Sequence, residues 1–126
     1  MLTIRHAYLV AYSMLYSHYW DTRRHEERMK KAFSLPGWLG SMDPYMFEGS
    51  MSADPAYWED WSEIAKKISN STLLTSAEAL QVCISFIEFY AAEFDFDIQW
   101  VADEIKTLSP EGDLWTSYIR ATVGTE

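Results

Sequence analysis

Carboxylates at helical spacing are the residues of this chain best suited to chemistry, and the densest group lies in Asp54–Trp61, DPAYWEDW. Glu59 and Glu63 stand four apart, the spacing that brings two side chains together on one helix face. Such a pair serves acid–base catalysis when its surroundings split the two pKa values. The face they share is polar, and nothing near them in sequence supplies that split. A second acidic group, Glu93-Phe94-Asp95-Phe96-Asp97, alternates carboxylates with phenylalanines. It lacks the glycine and the distal glutamate of a calcium loop and reads as a junction between helices. His18, Asp21 and His25 lie three and four residues apart, and on an unbroken helix they would share a metal-ligating face. Arg23, Arg24 and Arg28 sit beside them and oppose a cation, so solvated histidines at a helix junction are expected. No nucleophile elbow, phosphate loop, cysteine–histidine ligand set or dinucleotide fingerprint is present. These residues point away from an enzyme, a cofactor and a bound metal.

The elements that must position them are helices. Helical period runs through nearly the whole sequence, and strand alternation is absent. The expectation is one all-α domain over residues 1–126: a bundle of five to six helices with one long packed loop. Thr3 can cap a helix carrying Ile4, Ala7, Tyr8, Ala11, Leu15 and Tyr19. Leu9, Val10, Tyr12 and Tyr16 give it a second apolar face, the mark of a central helix. The pattern resumes at Met29, Ala32 and Phe33. One helix over residues 3–33 would be about 46 Å long, against about 35 Å for a compact chain of this length. A break is therefore expected at Asp21-Thr22. Ser34-Leu35-Pro36-Gly37 reads as a helix stop. Residues 35–53 then form the long connection, expected to pack because it holds Trp38, Leu39, Met42, Tyr45, Met46, Phe47 and Met51.

Asp54-Pro55 is a cap followed by proline at the first helical position. Behind it Trp58, Trp61, Ile64 or Ala65, and Ile68 share a core-facing stripe. Glu59, Asp60 and Glu63 come early and Lys66 and Lys67 late, as the helix dipole favours. Thr75-Ser76-Ala77-Glu78 is a capping box before Ala79, Leu80, Val82, Cys83, Phe86, Ile87, Phe89 and Tyr90. Ile98, Val101, Ile105 and Leu108 mark a further helix, and Ser109–Gly112 a turn. Leu114, Trp115, Tyr118 and Ile119 mark a last short helix before a loose tail, Thr122–Glu126. Tyr8, Leu15, Trp58, Trp61, Phe86 and Val101 are expected in the core. LTIRHAYLVAYSML from Leu2 and LTSAEALQVCISFI from Leu74 share five identities at an offset of 72. Duplication is one reading of that match, and the likeness of any two capped amphipathic helices is the other.

The formal net charge is −9, and it is unevenly spread. Residues 1–40 hold six Lys/Arg against three Asp/Glu; residues 41–126 hold four against sixteen. The acidic part repels a nucleic-acid backbone and attracts a basic protein surface. Plain solubility is the competing reading of such acidity. Cys83 is the only cysteine, so no intrachain disulfide forms, and it is expected as a core thiol in a reducing compartment. No basic n-region or small-residue cleavage site frames the apolar run Ala7–Tyr16, which carries three tyrosines, and no stretch approaches a membrane span. A cytoplasmic location away from membranes is expected.

ADPAYWEDW and the acidic loop before it, MDPYMFEGSMS, resemble a motif of small acidic bacterial immunity proteins from contact-dependent or polymorphic toxin systems. Leu74-Thr75, Glu78-Ala79 and Phe86–Tyr90 are similar to a second part of that pattern, a Leu-Thr helix start followed by an aromatic run. The resemblance covers about half the chain, and Arg23–Lys31 has no counterpart in it. It implies a cytoplasmic inhibitor that binds and blocks one cognate toxin domain. A nuclease target fits best, since nucleases need basic clefts for phosphate. The candidate contact residues are Asp43, Glu48, Glu59, Asp60, Glu63, Asp95 and Asp97. Another bacterial interaction module, such as an adaptor, a regulator or a DNA mimic, is the alternative; an enzyme or small-molecule binder is a third.

Overall fold

Leu2–Thr3 forms a short strand, β1, that pairs antiparallel with Leu73–Leu74, β2, placing Leu2 opposite Leu74 and Thr3 opposite Leu73. The computed structural model describes residues 1–21 and 34–123. Each strand runs straight into a long helix. Helix α1, Ile4–Met14, starts where the Thr3 hydroxyl accepts the His6 N–H at 3.0 Å, and continues as a π-helical segment, Leu15–Asp21. Helix α2 is Ser34–Met42 and α3 is Pro55–Ile68, capped by Asp54. Helix α4, Ser76–Glu93, carries the full capping box: Thr75 accepts from the Glu78 N–H at 3.0 Å, and Glu78 accepts from the Thr75 N–H at 2.9 Å. Helices α5, Gln99–Ile105, and α6, Asp113–Val123, complete the described residues. The fold is all-α, with six α-helices among those residues and a sheet of two short strands.

Two boundaries differ from the sequence reading. Ser34–Gly37 does not end a helix; residues 34–42 are helical, which shortens the connection to residues 43–54. Leu35, Trp38, Leu39 and Met42 recur at i, i+3, i+4 and i+7, and all four are buried. Pro36 lies in the first turn, where the missing N–H costs no intrahelical bond. At the other end, α6 takes in Thr122 and Val123. The described segment stops at Asp21, so Thr22 and the expected break there, His25, Met29, Ala32, Phe33 and the basic Arg23–Lys31 segment lie outside the described residues.

One core draws side chains from every helix. Tyr8, Leu15, Trp61, Phe86 and Val101 are fully buried there, as expected. Trp58 is the exception, partly buried and set edge-on against Tyr8 at 5.4 Å. The stripe of α3 is turned by one position, so Tyr57, Trp61 and Ala65 take the centre of its inner face and Trp58 the flank. No described helix is long and apolar enough to cross a membrane. Among the described residues, no group of three or more His, Cys, Asp or Glu is placed to hold a metal ion.

The offset of 72 recurs in three dimensions. Leu2 opposite Leu74 is the register that a two-fold axis through that pair imposes. Ala7, Tyr8, Val10, Ala11, Tyr12, Met14 and Leu15 are buried, and so are Ala79, Leu80, Val82, Cys83, Ile84, Phe86 and Ile87, each 72 positions later. The Trp61 indole N–H donates to the Ile4 carbonyl and the Trp115 indole N–H to the Ser76 carbonyl, both at 3.1 Å. Ile4 and Ser76 are again 72 apart and open their helices. Leu35, Trp38, Leu39 and Met42 of α2 match Ile98, Val101, Ala102 and Ile105 at the next helix, all buried. Helix α3 packs on α4, and α6 on α1, so each third helix crosses to the other unit's long helix. Among the described residues these matched contacts outline two β–α–α–α units related by an approximate two-fold.

Candidate partner-binding surface

The seven expected contact carboxylates fall into three places. Glu59 and Glu63 are exposed on the outer face of α3, beside Trp58, Ser62 and Lys66. Asp60, one position round the helix, turns the other way and meets α4. Its Oδ2 accepts the Tyr90 hydroxyl at 2.5 Å, across 30 residues of sequence. The sequence reading grouped Asp60 with the solvated carboxylates, and the structure half-buries it in this contact. A buried tyrosine on an amphipathic helix needs an acceptor for its hydroxyl, which signals that a partner exists but not which carboxylate it is.

Tyr90 joins Asp60 to the second acidic group. Its ring stacks on Tyr57 at 4.5 Å and on Phe94 at 5.2 Å. Phe96 lies tilted beside both Tyr90, at 6.1 Å, and Phe94, at 6.3 Å. Tyr57 and Tyr90 are buried, whereas Phe94 is 58% exposed, so the aromatic column runs from the core out to solvent. The chain can turn there because Phe94 closes α4 through its N–H to the Tyr90 carbonyl at 3.1 Å. Asp95 follows at φ 56, a left-handed conformation that aspartate tolerates better than most residues. Glu93, Asp95 and Asp97 are exposed, and they flank Phe94 and Phe96 along the chain.

Electrostatics connect the same groups. Burial pushes the Tyr90 hydroxyl far above its usual pKa, and the bond to Asp60 and the Asp60 and Asp54 charges add to that. Tyr57 is raised first by burial and then by Asp54 and Asp60, with a hydrogen bond from Ser41 acting the other way. Asp54 and Asp60 thus act on one pair of tyrosines. The arrangement suits a cation: a guanidinium laid on the Phe94 face meets an aromatic π-surface with carboxylates at its rim.

Asp43 and Glu48 stand apart from this column, on the connection between α2 and α3. Asp43 Oδ1 accepts the Tyr45 N–H at 2.8 Å, and its charge, after burial, is the main cause that lifts Tyr12 to about 12. The ends of the connection meet, since the Asp54 N–H donates to the Ser41 carbonyl at 3.0 Å. Within it Met51 packs on the core, but Tyr45, Met46 and Phe47 are 69%, 54% and 59% exposed. The expected packing of this connection therefore holds for Met51 alone among those four. Neither a family model, nor a curated protein, nor a solved structure matches this chain.

Proposed function

We propose that this chain is an immunity protein: it binds a cognate bacterial toxin domain through an acidic surface and blocks it, without catalysis of its own, in the cytoplasm of the cell that makes both. The observation that carries the reading is the Asp60–Tyr90–Phe94 column, which opens at an exposed ring with Glu93, Asp95 and Asp97 beside it along the chain. A partner arginine finds there both a flat ring to stack on and carboxylates to pair with. The −12 balance of residues 41–126 supports the same reading, because it speeds encounter with a basic surface. So does the resemblance of ADPAYWEDW to immunity proteins. A nuclease is the favoured target, since its cleft must be basic to hold phosphate.

Co-expression with the toxin domain encoded by the neighbouring gene tests the proposal. Cells survive with the wild type and die with Asp60→Asn/Asp95→Asn. That variant keeps an acceptor for Tyr90 and a residue suited to the left-handed turn, so it removes charge without removing packing. Survival with a folded double variant at equal abundance contradicts the column as the contact. If no toxin adjoins the gene and production protects against nothing, the immunity reading falls and the adaptor or regulator reading replaces it.

A further inference from the structure

The two units differ in the length of the connection before their third helix. Trp61 follows Met42 by 19 residues, whereas its counterpart Trp115 follows Ile105 by only 10. The shorter connection, residues 106–112, packs Leu108 on the core and is closed by the Gly112 N–H on the Ser109 carbonyl at 2.9 Å. The fold thus closes without the longer one. In repeat architectures, insertions map to loops on one face, which is often the binding face.

The longer connection is braced along its length. Besides its pinned ends, the Ser50 hydroxyl donates to the Ser52 carbonyl and the Ser52 hydroxyl to the Asp54 carbonyl, both at 2.5 Å. The Trp58 N–H donates to Ser52 Oγ at 3.2 Å, and Ser52 is 1% exposed. A turn closes at the Ser50 N–H on the Phe47 carbonyl, 3.3 Å, with Gly49 at φ 81, where glycine alone is unstrained. Tyr45 leans edge-on against Tyr12 at 6.1 Å, and Tyr12 stacks on the exposed Tyr16. This is a compact loop with close ends, a type that often carries function. Its bracing leaves Tyr45, Met46 and Phe47 exposed, and Tyr45 and Phe47 form part of the wall of a groove of about 660 Å³ that Arg5, Leu9, Glu48 and Met51 also line. A fixed apolar tip loses little entropy on binding, which is what an anchor needs.

We infer that Tyr45, Met46 and Phe47 form the apolar anchor for a basic protein surface, entering a pocket there while Asp43, Glu48 and Asp54 meet cations at its rim. The occupant follows from charge: residues 41–54 hold those three carboxylates and no Lys or Arg. A second copy of this chain fits less well, because its own tip would bring three more carboxylates against the single cation of the groove, Arg5. The inference rests on the immunity reading for the partner's identity, that is, the neighbouring toxin domain. It adds a second contact, of different chemistry, to the Phe94 column.

Binding kinetics of the purified toxin domain, inactivated at its own catalytic residue, separate the two. Tyr45→Ser/Met46→Ser/Phe47→Ser is expected to weaken binding at least 100-fold, mainly through a faster off-rate, with an unchanged melting temperature. Phe47→Arg alone is expected to weaken it at least tenfold and guards against a misfolded triple variant. If the wild type binds tightly and both variants bind equally well, the anchor is refuted and the immunity reading stands. If the wild type does not bind, both fall. Concentration-dependent self-association of the wild type that the triple variant abolishes also overturns the inference, in favour of a second copy.

Discussion

Removing the Tyr90 hydroxyl isolates the contact on which the candidate surface depends. Tyr90→Phe leaves the ring, and with it the stacks on Tyr57 at 4.5 Å and Phe94 at 5.2 Å. It deletes one 2.5 Å hydrogen bond to a carboxylate. A hydrogen bond to a charged group contributes about 1.5–3 kcal/mol. Asp60 is only partly buried, so water takes over part of that role when the hydroxyl goes. A net loss of about 1–2 kcal/mol is expected. At about 2.1 cal/mol/K of unfolding entropy per residue, 126 residues turn that into a drop of roughly 4–8 °C in Tm. The assay is a double-mutant cycle with Asp60→Ala, read by urea unfolding. If the pair interacts as described, the coupling energy is about 1–2 kcal/mol. A coupling below the roughly 0.3–0.5 kcal/mol scatter of independent sites refutes the link between α3 and α4, and with it the joining of the two acidic groups.

The two units provide a matched test: Trp61→Ala and Trp115→Ala each remove a fully buried indole bonded to an equivalent carbonyl, and each is expected to lose about 3–5 kcal/mol in urea melts. A stable Trp61→Ala protein that no longer protects would instead make that tryptophan part of the binding surface. Alkaline titration should unfold the protein cooperatively, since burial raises Tyr8, Tyr12, Tyr57 and Tyr90 above the usual tyrosine value. Above about pH 10 the unfolded chain sheds those protons while the folded chain keeps them, so stability falls as pH rises; full tyrosinate absorbance without loss of helical signal contradicts this. Cys83 is buried with its thiol pushed up to about 12, so it should react with a disulfide reagent only after denaturant is added.

Local features were legible in the sequence and distant pairings were not. Thr3, Asp54 and Thr75 were readable as caps because each bonds the backbone within three residues of itself. Pro36 and Gly37 hid α2, because proline and glycine are helix stops in general; the spacing of Leu35, Trp38, Leu39 and Met42 was the better guide. Asp60 could not be told from Glu59 and Glu63 along the chain, since its partner comes 30 residues later and from another helix. The apolar residues of the 43–54 connection looked alike, and only tertiary packing sends Met51 inward and Phe47 outward. The five identities between Leu2–Leu15 and Leu74–Ile87 were too few to establish a repeat. Burial is repeated where identity is not: Tyr8 and Leu80, or Met14 and Phe86, hold matching places with different side chains.

The most direct test of the proposed function is the association rate of this chain with the purified toxin domain of the neighbouring gene, measured from about 50 to 500 mM salt. Steering by the acidic surface is screened over that range, as the Debye length falls well below 10 Å. The expected result is tight binding with an on-rate that drops more than tenfold, and a shallower salt dependence in Asp60→Asn/Asp95→Asn. An on-rate indifferent to salt, or no association at all, contradicts the claim that an acidic surface of this chain captures a basic toxin.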